Sequence, residues 1–174
     1  MRPLSFGRKR VSKFIWDYLE NKANIVYMNL EKMHERRQVL HAEADNPTGS
    51  LSIDDVEDLY MVVKSFDPDI IVEVGTYIGV STETMRMAAP DAQIYTCDRS
   101  NDFEVLPDDP FVFQYPKKSS LEMFTELAEQ KLRADLVYLD GRLSPQDLEP
   151  LSKIITPNTV FVLDDFEGVE KGVT

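Results

Sequence analysis

Carboxylates recur where apolar runs end. Glu73 lies inside Ile70-Ile71-Val72-Glu73-Val74, Asp98 follows Gln93 to Cys97, Asp140 follows Ala134 to Leu139, and Asp164-Asp165 follow Thr159 to Leu163. Taken singly, an acid in such a place forms a turn or caps a helix. Strand ends that share one edge of an open parallel sheet bring distant acids to one crevice, and that placement points to a site. The loop after the first run, Gly75-Thr76-Tyr77-Ile78-Gly79, narrows the ligand. A dinucleotide turn needs G-x-G-x-x-G, whose middle glycine lets backbone approach a pyrophosphate. This loop lacks that glycine, carries bulky Tyr77, and has Glu73 two residues ahead, where a pyrophosphate would be repelled. The pattern suits a ligand with an amino group and no phosphate, and it counts against a nicotinamide-dependent oxidoreductase.

The acids also raise the question of a cation. Two carboxylates ~4 Å apart repel by roughly 4 kcal/mol at an effective dielectric of about 20, so several gathered in one cleft need a cation, a proton or separation. Oxygen-only donors suit Mg or Ca better than zinc. A solvated Asp-Asp turn is the equal alternative.

These residues must be positioned by alternating strands and helices. Continuous β-branched runs read as strands buried on both faces. Strands are expected at residues 70–74, 93–97, 111–115, 134–139 and 159–163, the third weakened by prolines on both sides. Ser52 with Asp55 opens a helix that ends before Asp67-Pro68; residues 82–89 form the next. Another helix is capped by Ser119 or Ser120, and Ser144-Pro145 with Asp147 begins a last one. The expected fold is α/β, a doubly wound Rossmann-like parallel sheet with helices on both faces. Ahead of it, Val11, Phe14, Ile15, Tyr18 and Leu19 mark one amphipathic helix, and Val26, Leu30 and Met33 a second. The loop Asn46-Pro47-Thr48-Gly49 divides an N-terminal helical arm, residues 1–48, from the main domain, residues 49–174.

Charge divides at nearly the same place. Residues 1–41 hold nine Lys/Arg against four Asp/Glu, and the remainder holds ten against 27, so an arm of net +5 precedes a body of net −17. The arm could meet an anionic partner, but packing on its own acidic body or on a second subunit is favoured. The acidic body argues against nucleic acid in the main cleft. A lone cysteine, Cys97, and the absence of an apolar run near the roughly 18 residues of a membrane span point to a cytoplasmic chain without a membrane segment.

The stretch Glu73-Val74-Gly75-Thr76-Tyr77-Ile78-Gly79-Val80-Ser81-Thr82 resembles motif I of the class I S-adenosylmethionine-dependent methyltransferases, in the branch of catechol O-methyltransferase and related small-molecule O-methyltransferases. The resemblance runs from about Gly49 to Asp165. It implies that Glu73, Gly75, Thr76 and Gly79 border the methionine part of S-adenosyl-L-methionine, that Tyr77 packs near its sulfonium, and that Ser81 binds its carboxylate. It also implies that Asp98, followed by Arg99, takes the ribose hydroxyls, that Ser119 or Ser120 lies near the adenine, and that Asp140, Asp164 and Asp165 occupy the divalent-cation positions of the metal-dependent members. The acceptor would be a small hydroxylated molecule.

The chain departs from that pattern in three ways. Arg142 stands where metal-dependent relatives carry a lysine base, and no histidine follows Asp140. An arginine stays protonated, so beside Asp140 it can orient or stabilise an anion but cannot abstract a proton. Lys117-Lys118 replace the acid that usually precedes the adenine-side serine. The family's sheet has seven strands, whereas five are expected here, which implies a truncation or an edge covered by a partner, including a homodimer. The competing reading is a non-catalytic cofactor-binding or scaffold module that uses the basic arm.

Overall fold

The computed structural model describes residues 13–43, 50–99 and 105–164, with side chains from residue 21 onward. Five strands, β1 (Ile70–Val74), β2 (Gln93–Asp98), β3 (Val112–Pro116), β4 (Leu136–Leu139) and β5 (Val160–Leu163), form one sheet in the order β3-β2-β1-β4-β5. Every pairing is parallel. The expected strands agree to within two residues. The proline-flanked β3 takes an edge, where the missing ladder donor of Pro116 is tolerated.

Helices cover both faces. On one side lie α1 (Lys13–Glu43), α2 (Ile53–Phe66) and α3 (Val80–Ala88), packed on Ile71, Ile94, Leu136 and Tyr138. On the other, α4 (Ser120–Glu129) and α5 (Leu148–Ile154), the latter entered through a 3-10 turn at Pro145–Asp147, pack on Val72, Val74, Cys97 and Val137. The period-2 alternation of β1 thus sends Ile71 and Glu73 to one face and Val72 and Val74 to the other. Three capping boxes set helix starts, Ser52 with Asp55, Ser119 with Glu122 and Ser144 with Asp147. Of the two serines considered for α4, Ser119 is the cap and Ser120 is the first helical residue.

The N-terminal region corrects one expectation. It is a single 31-residue helix rather than two, because residues 13–43 contain neither glycine nor proline to break it. Val11 and the loop at residues 46–49 lie outside the described residues. Met33 and Leu40, two turns apart, are fully buried in the same core as α2 and α3. Cations of α1 meet the acidic body: Arg36 donates from Nε to Glu83 Oε2 (2.7 Å) and from Nη2 to Glu83 Oε1 (2.9 Å). Arg37 Nε donates to Leu51 O (2.6 Å), and His34 lies 3.1 Å from Glu57. No described helix is long and apolar enough to cross a membrane.

A buried carboxylate secures the strand-to-helix turn. Glu73 is wholly buried and accepts from Ser81 Oγ on Oε1 and from Thr82 Oγ1 on Oε2, each at 2.5 Å. Thr96, its register partner on β2, also hydrogen-bonds to it, and the Thr96 hydroxyl lies 2.5 Å from that of Thr76 in the loop. Burial raises the Glu73 pKa from 4.5 to about 7, against the opposing pull of these hydroxyls.

Two stability measurements follow. Arg36→Ala leaves Glu83 buried without its fork and should cost about 1–3 kcal/mol in urea unfolding, with Arg36→Lys recovering only part. For Glu73, the fold favours the protonated form, so its contribution is complete below pH 4.5 and is lost as pH rises through about 7. Wild type should therefore lose on the order of 3 kcal/mol across that window relative to Glu73→Gln. Parallel stability profiles for the two proteins would show that this carboxyl does not titrate there.

Candidate functional site

Strand order reverses between β1 and β4, and the crevice outside their carboxyl ends is where an open α/β sheet binds ligands. A cavity of 420 Å³ opens there, lined by Val74, Gly75, Tyr77, Cys97, Asp98, Arg99, Lys118, Ser120, Asp140, Gly141 and Arg142. Its size is that of a small-molecule site. A larger groove of 580 Å³ between α4 and α5 lies away from the strand ends. The chemistry converges on the smaller cavity.

Three close approaches shape its floor. Gly75 has φ +104°, and a Cβ there would lie 3.0 Å from Gly141 N and 3.2 Å from Asp140 C, so only glycine lets the β1 loop press against the end of β4. Gly79 has φ +83°, and its Cβ would meet Val105 at 2.6 Å. Between them Tyr77 also adopts the left-handed region, φ +44°, which is costly for a residue with a Cβ. The Tyr77 N–H donates to Asp98 Oδ2 at 2.9 Å, and the Gly75 and Thr76 N–H groups donate to Cys97 O at 2.9 and 3.2 Å. The loop after β1 is thereby fastened to the end of β2, and Asp98 is held at the cavity wall.

Sequence-expected residues divide into two groups. Gly75, Tyr77, Asp98, Arg99, Asp140 and Arg142 line the cavity. Glu73, Thr76, Gly79 and Ser81 lie beneath it: all four are buried, and the three side chains among them are engaged with one another's neighbours rather than with the cavity. The resemblance sets Glu73 at the methionine part of the ligand and Ser81 at its carboxylate; here the two side chains bond to each other beneath the cavity. Strand alternation turns Glu73 toward α3, and Ser81 binds it there. Ser119 is likewise spent on its capping box, and Ser120 takes its place on the wall, its Oγ donating to buried Asp147 at 2.8 Å.

The cation expectation is only partly placed. The Asp164 N–H donates to Leu139 O at 3.0 Å, which sets Asp164 beside Asp140 across the β4–β5 register, and Asp165 lies outside the described residues. Asp164 borders a separate, smaller cleft. Among the described residues no three His, Cys, Asp or Glu side chains converge where a metal could sit.

Lining residues not assigned to the site from sequence are Val74, Cys97, Lys118 and Gly141. Gly141 carried a signal, because it directly follows a strand-end acid. Its Cβ would meet Val74 at 2.7 Å. Lys118 follows Lys117, whose φ of +59° turns the chain toward the cavity, and its Nζ lies 2.5 Å from Glu126. Cys97 is inert as a nucleophile, since burial first and then Glu73 and Asp98 push its thiol up to about 12.

No family model matches the sequence, and no curated protein matches it. Solved structures do match. An SAH-bound methyltransferase of Podospora anserina aligns with TM-score 0.63 at 16% identity, covering 83% of this chain and 70% of that one. The O-methyltransferase of Bacillus cereus in complex with SAH gives 0.62 at 19%, covering 79% and 66%. The Streptomyces achromogenes O-methyltransferase involved in tomaymycin synthesis, in complex with SAM, gives 0.60 at 21%, covering 78% and 64%. This chain thus spans about two thirds of the length of these neighbours. At such identities the likeness is one of fold, the fold that these methyltransferase structures share.

Proposed function

We propose that the chain binds S-adenosylmethionine in the 420 Å³ cavity and transfers its methyl group to the hydroxyl of a small acceptor. Asp98 carries this reading. A carboxylate at the end of β2, lining the cavity and oriented by the Tyr77 N–H, is what a bidentate contact to a ribose diol requires. The fold shared with SAM- and SAH-bound neighbours supports the same assignment.

When bound, the cofactor would supply an electrophilic methyl group, its sulfur keeping the carbon–sulfur electron pair, and the acceptor's hydroxyl proton would pass to the Asp140 carboxylate or to water. The protein's part is to position and to exclude water, and proximity alone accounts for about 7–11 kcal/mol in well-oriented reactions. Asp98 holds the ribose, backbone at Gly75 approaches the ligand closely, and Tyr77 packs against it. Asp140 accepts a hydrogen bond from the acceptor, and Arg142 stabilises its developing oxyanion. Glu73, Thr76, Gly79 and Ser81 are positioning residues that hold the loop. The donor set for a metal is incomplete among the described residues, so no step is routed through a cation. Arg142 in the place of a base favours one alternative, cofactor binding without transfer.

Titration calorimetry with SAH should show saturable binding, weakened about 10- to 100-fold in Asp98→Ala through loss of charge-assisted hydrogen bonds. No binding at millimolar SAH would sink the proposal. EDTA should leave SAH binding unchanged, because among the described residues no metal-type cluster borders the cavity. A fall in turnover with binding intact would assign a cation to Asp140, Asp164 and Asp165. SAH binding with no transfer to any phenolic or alcoholic acceptor would leave the non-catalytic reading.

A further inference from the structure

Asp147 is a buried carboxylate that the proposed reaction leaves unused. It is 2% exposed and closes the 3-10 turn ahead of α5. Its Oδ2 completes a capping box, accepting from the Ser144 N–H and from Ser144 Oγ (2.7 Å). Capping alone does not require burial. The other two boxes use Asp55 and Glu122, and both are exposed. Burying a carboxylate is costly unless hydrogen bonds satisfy it, and the second oxygen supplies the reason for this one. Asp147 Oδ1 accepts from Ser120 Oγ (2.8 Å), 27 positions away at the start of α4.

Both ends of that bridge lead to the cavity. Ser120 lines it, and so do Asp140, Gly141 and Arg142, which follow β4 and run toward the turn. One carboxylate therefore joins two walls that belong to different crossovers. It also fixes a proton. A hydroxyl has one proton and two lone pairs, and Ser120 spends its proton on Asp147. A ligand atom that reaches this hydroxyl from the cavity meets an acceptor, and must itself be a donor.

The order of the sheet indicates which donor. Along β3-β2-β1-β4, Asp98 at the end of β2 lies between Ser120, which follows β3, and Asp140 and Arg142, which follow β4. With the ribose on Asp98 and the reacting end of the cofactor toward Asp140 and Arg142, the nucleobase falls to Ser120. The donor of that base is its exocyclic amino group.

We infer that Asp147 is a positioning residue that sets the hydrogen-bond polarity of Ser120, so that the cavity selects a nucleoside whose base carries an amino group over one with a carbonyl in its place. The identity of the ligand rests on the methyltransferase reading.

S-inosylhomocysteine, in which a carbonyl replaces the amino group of SAH, is titrated beside SAH by calorimetry on the full chain. Wild type should bind SAH about tenfold or more tightly. Asp147→Asn keeps the shape of the bridge and reverses it. The amide oxygen must stay on the Ser144 N–H, which can only donate, so the amide N–H turns to Ser120 Oγ and releases the serine proton toward the cavity. The preference for SAH should then fall by about tenfold or more. Ser120→Ala leaves the capping box of Asp147 in place and should bring the two affinities within about threefold of each other; it decides the question if Asp147→Asn does not fold. A merely structural Asp147 would lower Tm and weaken both ligands alike, leaving their ratio unchanged. Equal binding of the two ligands by wild type, or the wild-type ratio retained in either folded variant, overturns the inference, while SAH binding keeps the methyltransferase reading. Absence of SAH binding overturns that reading and this inference with it.

Discussion

Glu73 lies out of water between β1, β2 and the first turn of α3, and the carboxyl edge of the sheet depends on how that burial is satisfied. A carboxyl in such a place is tolerable only with hydrogen bonds, and here hydroxyls supply them from two elements: Ser81 and Thr82 on α3 and Thr96 on β2. Thr96 in turn meets Thr76 of the loop. The direction in which the chain leaves β1 is thus set by a polar cluster beneath the turn. It is this cluster that lets the turn present backbone and Tyr77, rather than its own acid, to the cavity above.

The cavity is built from close backbone approaches more than from large side chains. Gly75 lets the loop touch the end of β4, Gly141 lets β4 touch Val74, and Tyr77 accepts a left-handed backbone so that its N–H reaches Asp98. Unfavourable local conformations of this sort persist where the surroundings over-determine them, and they gather at ligand sites. Asp98 and Asp140 face Arg99, Lys118 and Arg142 around one opening. Such a mixed rim suits a ligand that carries both signs of charge, as an amino acid linked to a nucleoside does.

The charge division of the chain has a structural counterpart. Arg36, Arg37 and His34 of α1 all meet groups of the body, and Glu83, their most buried acidic partner, lies on α3, the helix that also carries Ser81 and Thr82. These contacts tie the described part of α1 to the body. On the far side of the sheet's midline, β5 is an edge strand whose Phe161 and Leu163 remain 42% and 43% exposed.

The order of strands and helices, the parallel sheet, two capping boxes and the acids at the strand ends were legible in the sequence, because each follows from short-range pattern: β-branched runs, Ser with an acid three residues on, and glycines beside an acid. Asp98, Tyr77, Asp140 and Arg142 were legible for the same reason, since a residue at a strand end or in its loop faces the crevice whichever way the sheet packs. What the pattern could not decide was which members of the loop face upward. Glu73 and Ser81, set at the ligand by resemblance, bond to each other beneath the cavity, and Ser120 lines the wall while Ser119 caps α4, because one step along a strand reverses a side chain and one step along a helix turns it by about 100°. The contact of Arg36 with Glu83 was likewise settled only by tertiary structure. It joins residues 47 positions apart, and nothing local to either partner encodes the other.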